Sequence, residues 1–433
     1  MNTRIRLSAC SSGGRPSGAG VLGFRPESLS GGDCFMGRVY YGPSTREMEI
    51  PMPFLSIILF AALVASEPGE TMLEDPIQLT TSKRFVKAGE SYFSDDGQRI
   101  IFQAIEQPER ESWLESQEPD IHYSMFVAEV VRDADDRVIG IDGIRCISPA
   151  GSANTCGWFY PGRSDRVLFA TTSKPPSQDD VPGYQRDSGD YKWQFPREMD
   201  IVAVDLAKAD GSSSGFEPLV SDPSNYLAEG SISVDGRHLL YTSLATGEGD
   251  LYVKDLETGS IRCLVDAPGY DGGAFFSPDG RRITYRSDRN KDDLLQIFVS
   301  ELAFDEDGAI TGVEREFQLT DNGHVNWCPF WTADGRSLVY ATSEMGHYNY
   351  EIFMIDAQAG DGSSPAKYGT GSRRVTNAPA FDGLPAFSSD GGTMIWTSKR
   401  SGEDGSQLWV AGFDPDAGKT SASAPPGTSH GHP

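Results

Sequence analysis

The stretch Gly272–Arg289, GGAFFSPDGRRITYRSDR, returns with variations along most of the chain, and this recurrence constrains the fold more than any other feature. A small-and-aromatic run meets Ser277-Pro278-Asp279-Gly280, and an alternating run, Arg282-Ile283-Thr284-Tyr285, leads out again. Proline fixes φ at the first corner of such a turn and glycine accepts positive φ at its end, so the pattern predicts a β-hairpin. A single hairpin is marginal in water, so the unit has to be one part of a repeated stack.

Five further copies can be laid on the sequence. They begin at Gly89–Gly97, Thr155–Gly162, Glu229–Gly236, Trp327–Gly335 and Leu384–Gly391, each followed by a short β-branched or aromatic run. The second copy is degenerate, with Pro161-Gly162 and an expected turn two residues longer before Arg166. A third alternating run follows every hairpin, and most copies reach a fourth that ends near Thr, Val or Leu, as in Phe317-Gln318-Leu319-Thr320. Four strands per repeat is the blade of a β-propeller. The run Ile77-Gln78-Leu79-Thr80 precedes the first hairpin and matches Phe317–Thr320, while the sixth copy stops after its third strand near Phe413. The expectation is an all-β, six-bladed propeller of four-stranded antiparallel blades, with an N-terminal strand completing the last one and leaving no continuous exposed edge.

Outside residues 67–413 the sequence changes character. Phe54–Ala65 is an apolar run of signal-peptide length, too short for a comfortable membrane span, with Val64 and Ser66 placed for cleavage before Glu67. Residues 1–66 are therefore expected to be an extension plus signal peptide, with Met36 a candidate start, no membrane span after cleavage, and a periplasmic or secreted location. The tail 414–433 is Ala, Ser, Gly, Pro and Thr without periodicity, and is expected to be disordered. A net charge of −26 without any compensating basic stripe excludes nucleic-acid binding.

The FSPDG and YRSDR segments, together with the run from Ala333-Asp334-Gly335 to Phe353–Asp356, resemble the TolB-type β-propeller repeat over about residues 77–413. The resemblance implies a stand-alone propeller, since TolB carries an α/β domain before its propeller and peptidase relatives carry a hydrolase domain beside theirs. It implies a binding or scaffolding role, as a monomer, toward a protein or cell-envelope glycan. Two alternatives stay open: a lyase or hydrolase acting on an oligosaccharide or peptide in the axial funnel, and a propeller partner of a separate peptidase. A His or Tyr beside Glu90, Glu229 or Asp271 would favour the enzyme.

Aligning the copies suggests what lines the axis. Glu90, Asn154, Glu229, Asp271, Asn326 and Asp382 stand near the starts of the innermost strands and are expected to gather at one channel mouth as a ligand-binding set. No cofactor is expected, although an oxygen-rich mouth can hold Ca²⁺. Gly211–Gly215 matches G-x-S-x-G but lacks the strand and helix that a nucleophile elbow needs, so no catalytic residue is assigned. His324 and His347 share the fifth copy without further ligands for a metal. Cys156 and Cys328 fall in copies that face each other across the ring, and Cys146 and Cys263 in non-neighbouring ones, so all four are expected to be unpaired and mostly buried. The long segment Ser173–Arg197, with Tyr184, Tyr191, Trp193 and Phe195, is a candidate partner-binding loop.

Overall fold

A computed structural model of the chain describes residues 69–108, 122–177, 183–185, 192–194, 196–357 and 372–417. Six four-stranded antiparallel sheets form the blades of a propeller. Their innermost strands are Phe85–Phe93, Asn154–Tyr160, Leu227–Ile232, Asp271–Phe276, Asn326–Trp331 and Asp382–Phe387, in blades 1 to 6. Each of these contacts the next in the cyclic order 1-2-3-4-5-6-1. The fourth strand of blade 6 is Leu73–Gln78, paired antiparallel to Gln407–Phe413, so both parts of the chain close the ring as the Ile77–Thr80 match anticipates.

The S-x-D-G element of the repeat explains its hairpin. Ser277 Oγ donates to Asp279 Oδ1 (2.6 Å) and accepts from Arg282 N–H, while Asp279 Oδ1 also accepts from Arg281 N–H. The hydroxyl and carboxylate thus bind the turn's free amides, which otherwise have no strand partner. Ser94–Asp96, Ser233–Asp235, Thr332–Asp334 and Ser388–Asp390 repeat the pair. Blade 2 lacks it, and there the structure departs from the sequence expectation: the turn is shorter, not longer. Pro161-Gly162 alone turns the chain, Tyr160 pairs with Arg163, and the second strand runs Arg163–Thr171. The fourth strand of that blade, Glu217–Val220, carries no Thr-ending signature and was not visible in the repeats.

The threonines that end the fourth strands have a job in the ladder. Thr80, Thr320 and Thr376 each accept through Oγ1 from a third-strand amide, those of Leu408, Ile297 and Ile352. Adjacent blades are joined at the face where the innermost strands begin, which we call the entry face. There Ala88, Asn154, Leu227, Asp271, Asn326 and Asp382 each donate a backbone N–H to the carbonyl just before the third strand of the preceding blade: Ser406, Tyr123, Met199, Gly249, Leu295 and Tyr350. Apolar side chains such as Ile100, Leu168, Leu239, Ile283, Leu338 and Ile395 fill the space between sheets. Among the described residues no helix is long and apolar enough to cross a membrane.

Candidate functional site

Each innermost strand is broken by a β-bulge, and the six bulges lie in equivalent positions. Register shifts occur between Gly89/Ser91, Thr155/Trp158, Ala228/Ser231, Gly272/Phe275, Trp327/Phe330 and Gly383/Ala386. Their left-handed residues are Glu90, Cys156, Glu229, Gly273, Cys328 and Leu384, with φ between 45° and 61°. A side chain in this region costs about 1–2 kcal/mol, so five such residues are held there by their surroundings. A bulge re-aims its side chain, and here all six positions line one axial cavity together with Tyr92, Gly230, Phe275 and Arg286.

Glu229 anchors this cavity. Its carboxylate is ion-paired with Arg286 and accepts from Thr242 Oγ1 (2.7 Å), Tyr270 OH (2.8 Å) and Gly273 N–H (2.7 Å). Burial alone would raise its pKa, but Arg286 and these donors outweigh it and hold the carboxyl below its ordinary value. Gly273 is required twice over, by its positive φ and because a Cβ would stand 1.9 Å from Arg286 Nη1. Glu90 has the weaker partners: Tyr92 OH at 3.3 Å and the neighbouring Cys156 thiol. Burial pushes its pKa up, and the nearby Glu229 charge adds to the effect. The cavity therefore holds one ion pair and one carboxyl biased toward its neutral form. Burial also pushes the Cys328 thiol up to about 12 and the Cys156 thiol well above its usual value, so neither is a ready nucleophile.

The axis is closed immediately beyond the bulges. Tyr92, Trp158, Phe275 and Phe330 pack ring against ring with centroids 4.9–6.2 Å apart. What remains is about 30 Å³, the volume of one water. Tyrosines do stand beside both carboxylates, the arrangement expected of an acid–base pair. Burial nevertheless pushes Tyr270 and Tyr92 well above their ordinary range.

The six residues aligned from the sequence do not form one ring. Glu90 and Glu229 are bulge residues on the axis, whereas Asn154, Asp271, Asn326 and Asp382 lie two positions earlier, buried at the blade seams. The true counterparts of these four in blades 1 and 3 are Ala88 and Leu227. Asn154 Nδ2 donates to Tyr123 O, Asn326 Nδ2 to Gln296 Oε1, and Asp382 accepts from Trp396 Nε1 and Arg400. Asp271 is 0% exposed and accepts from Ala267 N–H, so it does not face the mouth. Sequence alignment missed Arg286 and Tyr270, and it set Cys156 and Cys328 on facing innermost strands without assigning them to the site. The signal was present as the Gly273–Arg286 spacing in blade 4. Among the described residues no group of three or more His, Cys, Asp or Glu is arranged to hold a metal. All four described cysteines are free: Cys328 is buried, Cys146 and Cys156 are half-buried, and Cys263 is exposed. The candidate partner loop leaves blade 2 at the entry face. Gly183–Gln185 pairs with Lys192–Gln194 in it, while Tyr191, Phe195 and the side chains of Tyr184 and Trp193 lie outside the described residues.

With that geometry in hand, comparison with known proteins is informative. No family model matches the chain. The Tol-Pal system protein TolB of Wolinella succinogenes is 26% identical over 187 residues, 42% of this chain and 39% of that protein. TolB of Francisella tularensis subsp. holarctica is 30% identical over 79 residues, 18% of each chain. The chain is similar to TolB over these stretches, and its six sheets make it a β-propeller. These matches span well under half the length of either relative. Among solved structures, TolB from Acinetobacter baumannii covers 74% of this chain, and 65% of itself, at 17% identity and TM-score 0.46. An oligogalacturonate lyase from Vibrio parahaemolyticus covers 79%, and 95% of itself, at 11% identity and TM-score 0.43.

Proposed function

We propose that this chain is an exported protein-binding propeller that engages its partner at the entry face, in the manner suggested by relatives named for the Tol-Pal system. The observation that carries this reading is the closed axis: a cavity of about 30 Å³ leaves the rim, not the channel, as the recognition surface. On that rim the loop joining the second and third strands of blade 5 presents Tyr348, 92% exposed, and Met345, 47% exposed. Beside it Trp327, Tyr350 and Phe381 form an aromatic cluster with centroids 6.0–6.3 Å apart. Aromatic and Met side chains that can bury against a partner are the usual energetic anchors of protein interfaces. The enzyme alternative, sited in the axial funnel, meets a locked Glu229 and a cavity of about 30 Å³ there.

The test is capture of envelope proteins by the purified chain, with photo-crosslinking from position 348. The expected result is protein capture that falls at least about tenfold in Met345→Ala/Tyr348→Ala. Equal capture by the double variant, or crosslinks to glycan alone, would overturn the reading.

A further inference from the structure

At the entry face, the residues just before the six seam amides are Lys87, Ala153, Tyr226, Tyr270, Val325 and Phe381, in blades 1 to 6. Five are small, aliphatic or aromatic, and one is a cation. Lys87 is half-buried, with its ammonium 4.5 Å from the Tyr123 ring centroid. Blade 6, its neighbour in the ring, adds a second cation. Lys399 follows the second strand of that blade, Thr393–Ser398, is exposed, and donates its N–H to Phe381 O (2.8 Å). Burial above all, and then the Lys399 charge, hold Lys87 below its ordinary pKa, so the two ammonium groups feel each other.

Other lysines of the propeller have partners: Lys208 and Lys291 each hold a carboxylate and Lys254 a carbonyl. Lys87 and Lys399 pair with no described carboxylate, in a chain whose net charge is −26. Acids close to them are committed elsewhere. Asp382 binds Arg400 and Trp396 Nε1, and Glu403 accepts from Gln78 Nε2 and the Ser82 amide. Two cations held together without a counterion carry a cost that an arriving anion removes. Next to this pair the surface turns apolar. The half-buried Phe381 ring lies 6.2 Å from that of Trp327 and 6.0 Å from that of Tyr350, and Leu294 and Leu384 are partly buried in the same cluster. A ligand that satisfies both halves needs a carboxylate and a large apolar group within the reach of one residue.

We infer that this part of the entry face takes the C-terminal residue of a partner protein, its carboxylate at Lys87 and Lys399 and its large apolar side chain against Phe381 and Trp327. A chain terminus is where a polypeptide hangs a carboxylate and an apolar side chain from the same Cα, whereas an internal Asp or Glu brings the charge alone. The aromatic wall supplies the buried anchor and the lysines the orientation. The inference rests on the protein-binding reading above and gives that partner a chemistry.

The probe is N-acetyl-Gly-Gly-Phe with a free carboxylate, titrated calorimetrically into the full chain at low ionic strength beside its carboxamide. Saturable binding with Kd on the order of 1 mM is expected for the acid, and binding at least about tenfold weaker for the carboxamide. Lys399→Gln should weaken the acid about threefold, and Lys87→Gln/Lys399→Gln about tenfold, so that acid and carboxamide bind alike. Phe381→Ala should weaken both ligands. Circular dichroism confirms that each variant is folded; Lys399 is exposed, so its single variant tests the pair should the double variant not fold. Absence of saturable binding, equal affinity for the carboxamide, unchanged acid binding in the folded lysine variants, or glucuronate bound as tightly as the peptide would overturn the inference. So would binding seen only in a chain ending at Ala417, which would assign the site to this chain's own C-terminus. If the peptide fails to bind while capture through Tyr348 stands, this inference alone falls; peptide binding without any capture overturns the rim reading instead.

Discussion

Replacing Arg286 by methionine tests the electrostatics of the axis most directly. The change keeps an unbranched apolar stem and deletes the one cation paired with Glu229, whose side chain is 10% exposed. Breaking a buried pair from one side costs about 3–5 kcal/mol. Thr242, Tyr270 and Gly273 continue to donate to the orphaned carboxylate, which places the loss near the lower end, at about 3 kcal/mol at pH 7.5. The sign with pH follows from linkage. Without Arg286 the folded-state pKa of Glu229 moves above its unfolded value, so the folded protein binds the extra proton and the penalty is full only above the raised pKa. Relative to wild type at the same pH, the loss should shrink on acidification by up to about 1.4 kcal/mol per unit. Urea denaturation at pH 7.5 and pH 5.0 reads both effects. Arg286→Met/Glu229→Gln, which removes both charges, should recover most of the stability and show little of this pH dependence. A loss below about 1 kcal/mol at pH 7.5, or one equal at both pH values, would refute this account of the pair.

Wild type has its own pH signature. Burial raises Asp271 to about 7 and Glu351 to about 7, so between their unfolded values and pH 7 the folded state binds more protons and stability should rise as pH falls from 7.5 to 5. Asp271→Asn should flatten that slope in thermal melts at the two pH values. Asp255, held at about 2 by the Thr258 and Glu257 amides and by Arg237 against the cost of burial, acts in the opposite sense and loses its contribution only below about pH 4. Thiol labelling followed by peptide mapping should modify Cys263 in the native protein and Cys328 only after unfolding, in accordance with their exposure.

The repeat made the architecture legible because its signals are local. Ser277 to Arg282 contains every group that closes its own turn, and Thr320 carries the hydroxyl that extends its own ladder, so six copies could be counted and closed without coordinates. The axial site was only half legible because a bulge consumes a residue without leaving a compositional mark. In blades 2, 4, 5 and 6 a polar residue two positions before the bulge looks like an axial carboxylate or amide, while in blades 1 and 3 the polar residue is the bulge itself. Aligning polar with polar therefore merged Asp271, which faces a seam, with Glu229, which faces the axis. Arg286 was invisible for a different reason: it lies on a second strand, and only the missing side chain of Gly273 lets it reach across to blade 3.

The clasp of blade 6 also has a mechanical sense. Leu73 pairs with Phe413 and Gln78 with Trp409, so the chain enters the first strand and leaves the last at the same end of their ladder. Tension between the segment before Leu73 and the segment after Phe413 would peel this pair open one rung after another, rather than load all its hydrogen bonds side by side. A ring sealed against thermal opening is thus built to unzip under a pull at its two ends.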